Sequence, residues 1–193
     1  MTHAEMTQRT KLALAAALKE QMNKKPLNKI TVKDLITTCN VDRKTFYYHF
    51  SDIYDLLKWM LEEEAIHVLE QFDLITDFQD AAIFILNYIE ENYHLLKCAY
   101  DAVGRDELKR FLFHDFEEIV KNVIIQFEQD LDLSVSPSYE RFLVHFYVEA
   151  TTGIMIEWLQ NPKRMSKEDA VRYADTVLFS TMPAALKAGT KMK

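Results

Sequence analysis

The amino-acid sequence predicts an all-α fold, and three observations carry that expectation. Glycine is nearly absent: Gly104, Gly153 and Gly189 are the only ones in 193 residues, beside four prolines. Tight β-turns and phosphate-cradling loops therefore have little to be built from. Apolar residues recur at helical spacing through most of the chain, and cap-type residues, Asn and Pro separate the periodic segments. The composition, 49% hydrophobic and 27% charged, is that of a globular protein, and the length suits one large domain or two small ones.

The first helix is expected over about Thr7–Lys24, with Leu12, Ala15, Ala16 and Leu18 toward one side, ended by Pro26 and Asn28. In TVKDLITTC, Thr31 is a good N-cap, Asp34 holds the capping-box position, and Val32, Leu35 and Ile36 form an apolar stripe. So short a helix must pack on neighbours to persist in water. Asn40 tolerates the left-handed conformation and can turn the chain, Val41 tucks inward, and Asp42 caps the next helix. Residues 31–50 thus read as short helix, tight turn, short helix, which is the sequence form of a helix-turn-helix. Beyond the cap candidate Ser51, helices are placed at about 52–74, 78–92, 94–102, 105–131, 137–160 and 167–187. Breaks fall at Thr76–Asp77, near Gly104, at Leu133–Pro137 and at Asn161–Pro162.

The segment DRKTFYYHF packs four aromatics and a histidine into five positions behind two cations. At about 100° per residue, Phe46 and Phe50 share one face, while Arg43, Lys44, Thr45, Tyr47 and Tyr48 point outward. That outward set, donors with stiff rings, suits a DNA groove: cations reach guanine acceptors, and phenol or imidazole groups reach phosphate oxygens. A core helix with inward tyrosines and snorkelling cations has the same periodicity. Charge adds to the first reading. Residues 1–60 hold 10 Lys/Arg against 6 Asp/Glu, a net of +4, and the rest of the chain is −11 within a total of −7. A basic head on an acidic body implies a polyanion-binding module joined to a part that must not bind one.

The run TVKDL, then CNVDRKTFYYHFSDIYDLL, resembles the DNA-binding domain of the tetracycline-repressor (TetR) family over about residues 8–60. The resemblance implies a three-helix DNA-binding domain at 1–55 and a larger helical regulatory and dimerisation domain at 56–193. It implies a phosphate contact at Thr31, base edges or nearby backbone at Arg43, Lys44 and Thr45, and phosphates at Tyr47, Tyr48 and His49. Two positions depart from the family pattern: the turn glycine is Asn40, and the lysine that often opens the following helix is Ile53. The pattern NYIEEN…YDAV…FLF…FYVEATTGIMIEWLQN is similar to a subgroup typified by regulators of dihydroxyacetone kinase. For that subgroup an activator with a protein effector is implied, where the wider family implies a repressor released by a small molecule.

The expected partners are a palindromic double-stranded operator, a second copy of the chain through its last two helices, and a small-molecule or protein effector. Residues 139–158 and 170–186 support the second, since both carry wider apolar faces than one chain would bury. Two recognition helices on a two-fold axis can read successive major grooves about 34–36 Å apart. Tyr88, Tyr93, Phe111, Phe127, Phe146, Tyr147 and Trp158 are candidate liners of an effector pocket; aromatics at that spacing are also ordinary core.

No cofactor, metal or catalytic activity is expected. Glu63/His67 and Glu90/His94 lack a third ligand, Cys98 lies one turn from His94 with no oxyanion loop, and Cys39 and Cys98 have no motif spacing. No apolar run reaches the roughly 18–20 residues that span a bilayer, and no secretory leader is seen, so a cytoplasmic protein is expected. The alternative to a DNA-binding regulator is a helical protein-interaction module, motivated by Ile53 and the acidic body.

Overall fold

A computed structural model describes residues 2–162 and 165–191. Among them the regular structure is helical throughout: α1 (His3–Met22), α2 (Val32–Cys39), α3 (Arg43–His49), α4 (Ile53–Leu61), α5 (His67–Leu69), α6 (Phe78–Glu91), α7 (Tyr93–Asp130), α8 (Pro137–Gln160) and α9 (Lys167–Gly189). A 3₁₀ turn, Leu27–Lys29, precedes α2, and a π-helical turn, Glu62–Ile66, joins α4 to α5. Among the described residues, no helix is long and apolar enough to cross a membrane.

The chain forms two compact units. The first is Met1–His67 with Asn92–Gly104, and the second is Val68–Glu91 with Arg105–Lys193. The division falls within α7 at Gly104, whose φ of 80° and ψ of 172° interrupt the helix in a region open essentially to glycine alone. The break expected near Gly104 is therefore present.

In the first unit α1 starts earlier than Thr7, because Thr2 and Glu5 form a reciprocal capping box. Its core face is Leu14, Ala15, Ala17, Leu18 and Met22. Leu12 is 50% exposed and Ala16 is also at the surface, so the side expected to hold them inward is rotated. Leu35, Phe46, Leu56, Leu57 and Met60 complete this core. The helix expected over 52–74 is shorter and broken. Glu63 and Glu64 of the π-turn reach back to Gln8 and Lys19 of α1. After α5, the Asp73 carboxylate accepts from the Ile75 and Thr76 amides and fixes a loop instead. Asp52, not Ser51, caps α4, and Ser51 donates to the Asp55 carboxylate.

In the second unit, Lys167 at the start of α9 donates to Asn87 and pairs with Glu90 on α6. Phe179 meets Phe78 and Phe127 edge-on at 5.8 and 5.7 Å. α8 and α9 are joined by Tyr147 with Thr181 (2.9 Å) and by the Tyr139 hydroxyl donating to the Ala185 carbonyl (3.2 Å). A Cβ on Gly189 would fall 2.2 Å from the Tyr139 ring, so only glycine fits there without a shift.

Candidate nucleic-acid interface

The site is built from caps upward. Thr31 accepts from the Asp34 amide while Asp34 accepts from the Thr31 amide at 2.7 Å, closing the capping box at the start of α2. The Asp34 carboxyl is held well below the usual carboxylate range. Its hydrogen bond from Lys25 is the main cause, followed by those from the Thr31 hydroxyl and amide. Asn40 closes α2 in the left-handed region, φ 53° and ψ 47°, which is the turn glycine's conformation without a glycine. Asp42 then accepts from the Thr45 amide at 2.7 Å and starts α3.

On α3 the wheel separates two faces. Phe46 and Phe50 are buried, 6.1 Å apart between centroids, and Phe50 meets Trp59 at 5.7 Å. Tyr47 and Tyr48 are 49% and 73% exposed, Arg43 and Lys44 are exposed, and Thr45 and His49 are half-buried. The inward-tyrosine alternative is thereby excluded. Arg43 stacks on the Tyr47 ring, 5.6 Å from guanidinium carbon to centroid, and its Nη2 donates to the phenol oxygen at 3.4 Å. The phenol engages one of the guanidinium donors and leaves others for a further acceptor. Burial chiefly, then the nearby Lys11 and His3, holds the His49 imidazole below its ordinary value. Ile53 opens α4 half-buried and brings no charge.

Ion pairing sorts the cations of this unit. Lys19, Lys24, Lys25, Lys58 and Lys97 are engaged by Glu64, Glu20, Asp34, Glu62 and Asp101. Among the described residues, Arg9, Lys11, Lys29, Lys33, Arg43 and Lys44 have no carboxylate partner. Lys29 and Lys33 are exposed on either side of Thr31, at −2 and +2. They are additions to the residues picked from sequence, and the signal was present in their spacing about the cap. Four of these six, Lys29, Lys33, Arg43 and Lys44, lie around the start of α2 and on α3, and Arg9 and Lys11 lie on α1; uncompensated cations of this kind suit a polyanion.

Burial differs among the candidate effector residues. Tyr93 is exposed and belongs to the first unit. Phe146 is 55% exposed because it stacks along the outside of α8 on Phe142, so it does not line an interior. Phe127, Tyr147 and Trp158 are buried, and Tyr88 and Phe111 are half-buried. Burial pushes the Tyr147 phenol up. The Trp158 indole N–H is buried and has no acceptor among the described residues. Glu63 and His67 approach to 3.6 Å, and the Cys98 sulfur lies 3.8 Å from His94 Nδ1. Among the described residues, no cluster of three such groups could hold a metal ion.

A helix-turn-helix with an exposed, cation-bearing second helix defines a DNA-binding class of transcription regulator. Residues 14–60 match the model of the bacterial regulatory proteins of the tetR family, and residues 76–180 match that family's transcriptional regulator C-terminal region. The chain belongs to the TetR family of transcription regulators. It is 24% identical over 148 residues to the HTH-type dhaKLM operon transcriptional activator DhaS of Lactococcus lactis subsp. lactis (strain IL1403), spanning 77% of this chain and 78% of that protein. Two solved structures share its fold. The dihydroxyacetone kinase operon activator DhaS superimposes with a TM-score of 0.62 at 22% identity, covering 95% of this chain and 97% of that one. A TetR transcriptional regulator from Streptococcus agalactiae 2603V gives 0.59 at 24% identity, covering 91% and 96%.

Proposed function

We propose that this regulator acts in the cytoplasm as a homodimeric repressor that binds a palindromic duplex operator through α3. Thr31, Arg43, Lys44, Thr45, Tyr47, Tyr48 and His49 make the contacts, and an effector at the second unit controls them. The observation that carries the reading is the sorting of charge: Lys19, Lys24, Lys25, Lys58 and Lys97 are paired with acids, while Arg43 and Lys44 beside Tyr47 and Tyr48, and Lys29 and Lys33 about Thr31, stand exposed with no carboxylate partner among the described residues. The dimer rests on a separate observation. Phe142, Phe146, Ala150 and Ile154 are exposed at successive i, i+4 positions of α8, and Tyr173, Val177, Ser180 and Ala184 are exposed along α9. Gly153 stands beside that stripe, where a Cβ would meet open space, so a second helix can approach closely.

The test is fluorescence anisotropy with duplexes tiled across the DNA bordering its own gene. One palindromic segment should bind with two protomers per duplex, and Lys44→Ala and Tyr48→Ala should weaken that binding without loss of helicity. Equal affinity for every tile, unchanged in both variants, would favour the protein-interaction module instead.

A second reading, activation, is favoured by one observation, the similarity to a protein named as an operon activator. Transcription from the neighbouring promoter with and without the protein decides the sign, and adding candidate small molecules or co-purifying proteins to the anisotropy assay separates the two kinds of effector.

A further inference from the structure

One basic side chain outside the α3 face is arranged to receive an anion. Lys11 lies in α1, half-buried, with its ammonium 5.6 Å from the Phe50 ring centroid and 5.2 Å from that of Trp59. Phe50 is the C-cap residue of α3, and the His49 ring lies 6.4 Å from its centroid. The two rings hold the ammonium in place and strip water from one side of it. Lys19, further along the same helix, is neutralised by Glu64, whereas Lys11 makes no ion pair among the described residues. A compact, strongly hydrated ammonium that has lost part of its water and gained no carboxylate favours an anion on its open side. The forces on the His49 imidazole fit the same picture: after burial, the largest influence that lowers it is the charge of Lys11. A neutral imidazole can still donate one N–H to an oxygen whose charge a lysine balances.

We propose that Lys11, on α1, binds a backbone phosphate of the bound duplex at the C-terminal end of α3, beside the contact already given to His49 and outside the stretch met by Arg43 to Tyr48. This rests on the reading of α3 as the DNA-contacting helix. Lys11 supplies the charge and His49 a hydrogen bond. The rings of Phe50 and Trp59 fix the ammonium, so little rotamer freedom is lost when the phosphate arrives. Phosphate contacts carry no sequence information, so a mixed-sequence duplex suffices as the probe.

The full-length protein is titrated against a mixed-sequence duplex of about 30 base pairs over a range of chloride concentrations. The comparison is with Lys11→Met, which keeps the apolar stem on the rings and removes the charge. The slope of log K against log salt should fall in magnitude by about 0.9, the value for one phosphate contact. Lys11→Arg should keep the wild-type slope. Helicity by circular dichroism checks the fold, and Lys11→Gln is read in place of Lys11→Met if that variant loses it.

A weakened affinity with an unchanged slope would reduce Lys11 to packing and overturn the proposal, as would no change at all while Arg43→Ala and Lys44→Ala lower the slope. If those two variants also leave duplex binding untouched, the assignment of α3 fails instead. Inorganic phosphate at matched ionic strength should displace the duplex no better than chloride. Preferential displacement lost in Lys11→Met would assign the cation to free phosphate and overturn the duplex contact.

Discussion

Two exposed aromatic surfaces of this chain invite comparison. On α3, Tyr47 and Tyr48 stand beside Arg43 and Lys44, which form no ion pair among the described residues. On α8, Phe142, Phe146 and Ile154 stand in a stripe that carries no cation. Both expose large rings, yet the physics points to different partners. A phenol has a hydrogen-bonding tip and sits among uncompensated cations, so it suits a hydrated polyanion. A phenylalanine stripe with an open glycine beside it gains only by removing apolar area from water, which another apolar helix provides. Exposure alone names no partner; the neighbouring charge does.

Breaking each surface in turn separates them. Phe46→Ala removes the anchor that orients the whole α3 face, and with Phe46 fully buried it should cost about 3–5 kcal/mol in urea unfolding. Phe146→Asp should weaken self-association by about 2–4 kcal/mol in sedimentation equilibrium, with each protomer still helical. Tyr48→Ala and Lys44→Ala should each cost about 1–3 kcal/mol of duplex affinity and leave sedimentation unchanged. If Phe146→Asp left the dimer intact, or Tyr48→Ala broke it, the two surfaces would have to be exchanged. Asn40→Ala places a Cβ-branched-free but still unfavourable side chain at φ 53° and should cost about 1 kcal/mol of stability, with Asn40→Gly close to neutral.

The smallest effect concerns pH. Asp34 is held below its ordinary value in the folded chain, first by Lys25. Its contribution is therefore complete above the unfolded value of about 3.9 and is lost as pH falls through the folded one. Asp34→Asn should flatten the decline of the urea midpoint below about pH 4. An unchanged acid slope would remove this carboxylate from the account.

The same contrast explains what could be read in the sequence. The caps at Thr31, Asn40 and Asp42 and the two faces of α3 were legible, because each is decided within one or two turns of chain. Gly104 as a break was legible for the same reason, since few other residues occupy φ 80°. The rotation that exposes Leu12 and Ala16 was not legible, because α1 has a weak polar–apolar contrast and its inward side is chosen by α2 and α4. The π-turn at Glu62–Ile66 was hidden too: nothing local marks it, and Glu63 and Glu64 find their partners on α1, more than forty residues away. Phe146 looked like a pocket residue because an aromatic at helical spacing reads the same whether its helix face is covered by this chain or bare. Lys29 and Lys33 were visible as charges, but only ion pairing elsewhere in the unit marks them as uncompensated.

The central claim is that the outward face of α3 meets duplex DNA. The most direct measurement is the affinity of the Arg43→Ala, Lys44→Ala double variant for the palindromic segment bordering the gene, by anisotropy at fixed salt, with helicity and sedimentation held as controls. A loss of about 2–6 kcal/mol with both controls unchanged is the predicted result. Wild-type affinity in a folded, dimeric double variant would contradict it.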